Sequence, residues 1–414
     1  MGSESKIEAS TPQATRKGWY LLRLGIIAAS LSAYPSHLPK LTSKAASHCS
    51  HLGPLPASEY HARLSALGET LTALNASAYI AEPGASALYY ANASSSHWHL
   101  SERPLLLIMD ASARMTVLTP KFEGTRARLL SIPSDVEWAF PKAMVVAAPT
   151  GIRQLWERKS EGKLKLLKCA NEATLLAIRH THKQMHVGIR ESEVQQLVAR
   201  ALADAGLKDG GCLTLFGGMR QNTALPHGSG ADRHLGPDDF ALFDCTASLH
   251  GYWSDVTRTL ALPASTIPDT HIQIWDFVHS AQHIVFQTTH AGVVAKRVDE
   301  APRLFLGLAG YAKYFIHRLG HGIGLEVHED PYLNGGSELI LQTGHTFSDE
   351  PGVYIEGKVG VRLEDCFYIA QNGSTVYLTA GVGGPASLPW KPLGSIFGSN
   401  RREPRTIMNK ESYY

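Results

Sequence analysis

Residues 317–331 read HRLGHGIGLEVHEDP, and this stretch decides the fold. Gly320, Gly322 and Gly324 flank His321 and let the backbone crowd one imidazole. A lone histidine means little in a chain with 20 of them. Its weight comes from three other segments: FDCTASLHGYWSDVTRT at 243–259, FSDEPGVYI at 347–355 and GVRLED at 360–365. Together they supply Asp244, Asp255, His321, Glu350 and Glu364. Four carboxylates and one imidazole make a ligand set for two divalent cations, and a cation pair of this kind serves hydrolysis at a carbonyl or phosphoryl centre.

The spacing supports the set. Ten residues separate Asp244 from Asp255, with His250-Gly251 near their middle. A hairpin there places the two aspartates opposite each other, about 5 Å apart. Bare carboxylates at that distance repel, and one protonates unless cations intervene. Glu350 and Glu364 flank a second hairpin candidate turning at Gly357. Arg362, two residues before Glu364, shares its face and is placed to hold a ligand carboxylate. One nitrogen among so many oxygens favours hard cations: Mn²⁺ first, then Co²⁺, Fe²⁺ or Zn²⁺. His227 in ALPHG, His328 and His317 are read as partners of the reacting group. The remaining histidines, such as His51, His97 and His182, are read as structural or exposed.

The chain of 414 residues, 44% hydrophobic and 18% charged, is globular in composition and long enough for two domains. A net charge of +2 and the lack of any nucleic-acid motif exclude nucleic acid as a partner. Basic Arg16-Lys17, the apolar run Leu24–Ala29 and the small residues after it resemble a signal peptide or signal anchor. Sequons at Asn75, Asn92 and Asn372 agree with passage through the secretory pathway, making the expected protein extracellular or membrane-anchored and glycosylated. Five sparse cysteines read as buried free thiols.

The expected organisation is a targeting segment and linker over 1–50, a small α/β unit over 51–150, a catalytic unit over 151–392 and a polar tail over 393–414. In the first unit, Glu59–Asn75 has helical leucine spacing, followed by strand candidates at 78–80, 87–90, 105–109 and 115–118. In the second, helices are expected from Leu164 to Ile178 and from Glu191 to Ala205. Strands then dominate, interrupted by one helix from His271 to about Thr289.

These segments together resemble the M24 metallopeptidases: aminopeptidase P, prolidase and their creatinase-fold relatives. The resemblance rests on NTALPHG, the D-x10-D spacing before VTRT, HRLGHGIGLEVHE, DEPGVYI and GVRLED, and covers about 150–392. AYIAEPGASALYY, SERPLLLI and LTPKFEGTR resemble that group's N-terminal domain. The resemblance implies an α/β (α+β) fold: a pita-bread catalytic domain behind a shortened creatinase-like N-terminal domain. It implies that Asp244, Asp255, His321, Glu350 and Glu364 hold two metal ions, with Asp255 and Glu364 bridging and Glu350 also acting as general base. His227 and His328 would contact the scissile carbonyl, and Arg362 would orient ligand carboxylates. The activity implied is release of the first residue from peptides with proline second. An Xaa-Pro dipeptidase, or a hydrolase of a non-peptide amide, is the alternative, and a homodimer is the expected assembly. Three departures stand out: Thr246 where the family has glycine, a longer approach over Gly217–Gln221, and a shortened join between Asp135 and Arg153.

Overall fold

The computed structural model describes residues 48–93, 105–119, 136–137, 150–217, 223–228 and 230–390. The targeting segment, Ser94 of the Asn92 sequon, His97, His99, Gly218–Gln221, most of the shortened join and the tail from 391 on lie outside the described residues.

The chain opens with helix α1 (Ala57–Ala73), which buries Leu64, Leu67 and Leu71 on one face. Strand β1 (Ala78–Ala81) follows, then helix α2 (Ala85–Ala91). Residues 87–90 are therefore helical and not the expected strand. Ala87, Tyr90 and Ala91 are buried at i, i+3, i+4 spacing, and alanine's helix preference outweighs the strand preference of two tyrosines. Strands β2 (Leu106–Asp110) and β3 (Met115–Leu118) show strand alternation, with Leu107, Met109, Met115 and Val117 inward. β4 (Val136–Glu137) completes a four-stranded sheet in the order β1-β2-β3-β4.

Helix α3 (Thr150–Glu157) leads into α4 (Glu161–His182). α4 is buried on nearly every side, as expected of a helix enclosed by other layers. Gly188, at φ 93°, ends the next turn, and α5 (Glu191–Asp204) begins with the Glu193 carboxylate accepting the Arg190 amide. Strands β5 (Lys208–Gly217), β6 (Phe240–Leu249) and β7 (Tyr252–Leu260) form an antiparallel sheet against α4 and α5.

Two helices, not one, interrupt the strand-rich half: α6 (Asp269–Thr288) and α7 (Ala295–Leu308). α7 carries Pro302 inside it, which hides a helix from propensity reading; its buried Val298, Pro302 and Leu306 still share one face. The short strands β8 (Gly320–Gly322), β9 (Glu329–Leu333), β10 (Thr346–Asp349), β11 (Gly352–Ile355), β12 (Val359–Arg362), β13 (Asp365–Ile369) and β14 (Thr375–Tyr377) follow. They make a five-stranded sheet, β14-β13-β10-β8-β9, and the β11–β12 hairpin.

Two hydrophobic cores result. One runs from α1, α2 and β2 through α4 and α5 to β6 and β7, so the N-terminal elements share a core with the catalytic ones. The other joins α6 and α7 to β10–β13. Cys49 pairs with Cys169 and Cys212 with Cys245, leaving Cys366 as the buried free thiol. This corrects the expectation of free thiols for four cysteines: spacing along the chain carries no signal for two contacts that tertiary structure creates.

Candidate metal centre

The β6–β7 hairpin turns on His250 and Gly251, both at positive φ, so Leu249 faces Tyr252 across a two-residue loop. That turn sets the register. Asp244 lies opposite Thr257, and Asp255 opposite Thr246. The aspartates are thus diagonal neighbours on one face, two positions off the direct opposition expected from their spacing. Thr246 fits this ladder without a bulge and lines the cavity.

Glu350 and Glu364 come from a different hairpin. Gly352 pairs with Arg362 on β11–β12, and Asp349 with Asp365 on β10–β13. The two glutamates sit between these ladders in the same register. Glu364 then bridges to the first hairpin: its amide donates to the Thr257 carbonyl at 3.0 Å, and the Thr257 amide donates back at 3.3 Å. His321 enters from β8. Asp244, Asp255 and Glu364 each offer one oxygen within 4.8 Å of the others, as do the ligand atoms of His321, Glu350 and Glu364 and those of Asp255, His321 and His328. All five expected ligands therefore meet at one place.

The donor set fits metal ions on its own chemistry. Asp255 Oδ1 and Glu364 Oε1 are buried without a hydrogen-bond partner among the described residues. Asp255 and Glu364 are pushed well above the usual carboxylate range by burial and then by neighbouring carboxylates. Glu350 is raised to about 7, chiefly by burial, with Arg362 and Arg318 opposing. His321 Nε2 lies 3.3 Å from Glu350 and 3.6 Å from Asp255, distances suited to an ion pair. Burial, however, lowers the imidazole to about 3, so it is neutral. With Nδ1–H donating to the Gly322 carbonyl at 3.0 Å, the Nε2 lone pair faces oxygens carrying lone pairs of their own. A cation between them removes that conflict.

The surrounding side chains hold the set in place. Arg362 donates to Asp244 Oδ2 at 2.6 Å and to the Tyr354 hydroxyl at 2.9 Å. Tyr354 donates in turn to His317 Nε2 at 3.0 Å, while His317 Nδ1–H donates to the Arg318 carbonyl. Both nitrogens of His317 are thus engaged, and burial lowers it to about 4. Thr257 Oγ1 donates to Glu364 Oε2 at 2.6 Å, and the Ser348 hydroxyl to Glu350 Oε1 at 3.2 Å. Tyr354, Thr257 and Arg318 were not singled out from the sequence. Tyr354 had a signal, lying four residues after Glu350 at strand parity; so did Thr257, two after Asp255.

The centre forms one wall of a cavity of about 720 Å³, also lined by His227, Ile316, Arg318, Val327 and Tyr332. His227 and His328 expose their rings. Gly360 lets β12 approach the turn before His227, its amide donating to Thr223 Oγ1 at 3.1 Å. Rings at that rim can meet a substrate oxygen while the carboxylates stay below.

A family profile described as metallopeptidase family M24 matches residues 165–371. An uncharacterized peptidase of Schizosaccharomyces pombe is 31% identical over 357 residues, covering 74% of this chain and 78% of that protein. An Xaa-Pro dipeptidase of Lactobacillus delbrueckii subsp. lactis is 35% identical over 218 residues, covering 52% of this chain and 58% of that protein. The chain thus matches a little over half the length of that dipeptidase. Among solved structures, dipeptidase PepE from Mycobacterium ulcerans superposes with a TM-score of 0.68 at 27% identity over 79% of this chain and 97% of its own. The prolidase of Pyrococcus horikoshii gives 0.66 at 25% identity over 77% and 98%. The mixed α/β architecture is that of these pita-bread structures.

Proposed function

The chain belongs to metallopeptidase family M24, and on that premise we propose that it hydrolyses the bond between a first residue and proline, preferring the free Xaa-Pro dipeptide. Asp244, Asp255, His321, Glu350 and Glu364 hold two divalent ions in this reading, Mn²⁺ foremost because the set is rich in oxygen. When bound, the ions supply Lewis-acid polarisation and a water of lowered pKa. Glu350, in hydrogen-bonding reach of Ser348, takes up and passes on the proton. His227 and His328 donate hydrogen bonds to the oxygen on which charge develops. Arg362 and Tyr354 keep Asp244 oriented.

One observation carries the preference for a dipeptide over a longer peptide. Arg318 lines the cavity, and its Nε is buried without a hydrogen-bond partner. Its guanidinium lies 5.1 Å from the centre of the Tyr332 ring and makes no ion pair among the described residues. A guanidinium with no ion pair beside a substrate cavity fits a terminal carboxylate, which a dipeptide presents there and a longer peptide replaces with an amide. The Xaa-Pro dipeptidases among its relatives support the same choice over the aminopeptidase favoured from the sequence alone. Comparing Ala-Pro with Ala-Pro-Ala tests it. The dipeptide should be turned over about 100-fold more efficiently, and Arg318→Met should erase that preference by raising KM for Ala-Pro. Preference for the tripeptide restores the aminopeptidase, and turnover of neither points to a non-peptide amide.

The secretory assignment belongs to the same proposal. Asn75 and Asn372 are exposed, and two cysteine pairs need an oxidising compartment. A glycosidase-sensitive mass on the protein from its native host is expected; an unmodified mass counts against it.

A further inference from the structure

Beneath the cavity rim lies a charged pair that the reaction scheme leaves unused. Lys159 Nζ sits 2.5 Å from Glu329 Oε1, and the two side chains are 3% and 8% exposed. Lys159 is fastened from behind: Nζ also donates to the carbonyls of Trp156 at 2.9 Å and Glu157 at 3.2 Å, and its amide to Gly344 at 2.7 Å. Glu329 spends its other oxygen on a turn. Oε2 accepts the amides of Leu325 at 3.1 Å and Glu326 at 3.4 Å. The turn packs so closely that a Cβ on Gly324 would lie 2.6 Å from Glu329 Oε1 and 2.7 Å from Lys159 Cε. The same glycine ties the turn to the β6–β7 hairpin, its carbonyl accepting the Trp253 amide at 2.8 Å. This turn carries His328, whose ring stands 4.2 Å from that of His321.

A buried ion pair contributes little net stability, because desolvating both ions offsets their attraction; its value lies in the geometry it imposes. Here that geometry is the path of the backbone between Gly324 and His328. We propose that Lys159 and Glu329 are a positioning pair for His328, locking the 324–328 turn so that the imidazole projects over the metal ligands into the cavity. The pair touches no reacting atom and acts only through His328. Its kinetic consequences rest on the reading of His328 as the group that meets the scissile carbonyl.

The test uses Glu329→Gln and Lys159→Met in the full, metal-loaded enzyme, each alone and combined with His328→Ala. Glu329→Gln keeps an oxygen for the two amides, so it folds even where the lysine change destabilises. Misplacing a catalytic group by an ångström costs up to about 100-fold. Each change alone should therefore lower kcat for Ala-Pro at least about 10-fold with KM little altered and two metals still bound. In the His328→Ala background neither should lower kcat further. With diamagnetic Zn²⁺ in the site, the His328 ring resonances, identified by their loss in His328→Ala, should shift in Glu329→Gln. Equal losses in both backgrounds, or a wild-type kcat in Glu329→Gln, overturn the proposal. If wild-type protein cleaves no Xaa-Pro substrate, the functional reading fails by itself, and the resonances decide the positioning: a shift upholds it and unmoved resonances overturn it.

Discussion

Thr257 and Glu364 meet twice, through paired backbone hydrogen bonds and through a 2.6 Å bond from the threonine hydroxyl to Glu364 Oε2. This contact stitches the hairpin bearing the aspartates to the segment bearing the glutamates. It leaves Glu364 Oε1 buried and without a hydrogen-bond partner among the described residues, open to a cation.

Thr257→Val should keep the backbone bridge and lose the hydroxyl bonds to Glu364 and from Arg362 Nε, the latter at 3.3 Å. Supporting contacts of this kind are worth about 10–100-fold in metal affinity. Titration calorimetry with Mn²⁺ should show that weakening with an unchanged circular dichroism spectrum. Unaltered affinity would mean Glu364 is held by its backbone alone.

Metal removal should make the protein lose stability as pH rises from about 4.5 to about 7. Glu350 titrates near 7 in the folded protein against 4.5 as its ordinary value, so folded protein binds more protons between those values. Its contribution to stability is full below 4.5 and is lost as pH rises through about 7. Glu350→Gln should therefore match the chelated wild type in melting temperature near pH 5 and exceed it near pH 8. A constant difference between the two proteins across that range would contradict the assignment.

Lys163 gives the opposite slope. Buried over the Tyr89 ring, with Glu59 at 3.9 Å opposing the shift, it is lowered from 10.5 to about 7, first by burial and then by Arg63. The unfolded chain then binds more protons between about 7 and 10.5, so stability rises with pH across that window. The charge costs a few kcal/mol below it, on the scale of about 1.4 kcal/mol per pH unit. Lys163→Met should melt higher than wild type near pH 6 and lose the advantage towards pH 10. An advantage independent of pH would show that packing, not charge, sets the effect.

The cysteine pairs are open to direct count. Unreduced protein, denatured and treated with a thiol reagent, should titrate one thiol per chain, Cys366. Five thiols would mean that the pairs do not form.

The ligand set was legible because each residue sits in a short segment whose composition is constrained from within: glycines around His321, apolar runs beside each carboxylate. The diagonal offset of Asp244 and Asp255 was not, because the turn centres on His250-Gly251 and not midway between the aspartates. α7 was hidden by Pro302, and α2 by two tyrosines whose burial the sequence does not show. Lys159 and Glu329 lie 170 residues apart, and Cys49 and Cys169 lie 120 apart. Nothing local marks such pairs, since folding alone brings them together. Arg318 stands beside His317 in the deciding stretch, yet the missing hydrogen bond at its Nε appears only when its neighbours are placed.

The most direct test is Ala-Pro hydrolysis by wild-type protein and Glu350→Ala, with Mn²⁺ and after chelation. Wild type should cleave the dipeptide only with metal, and Glu350→Ala, folded by circular dichroism, should not cleave it under either condition. Metal-independent cleavage, or full activity in Glu350→Ala, would contradict a centre built on Asp244, Asp255, His321, Glu350 and Glu364.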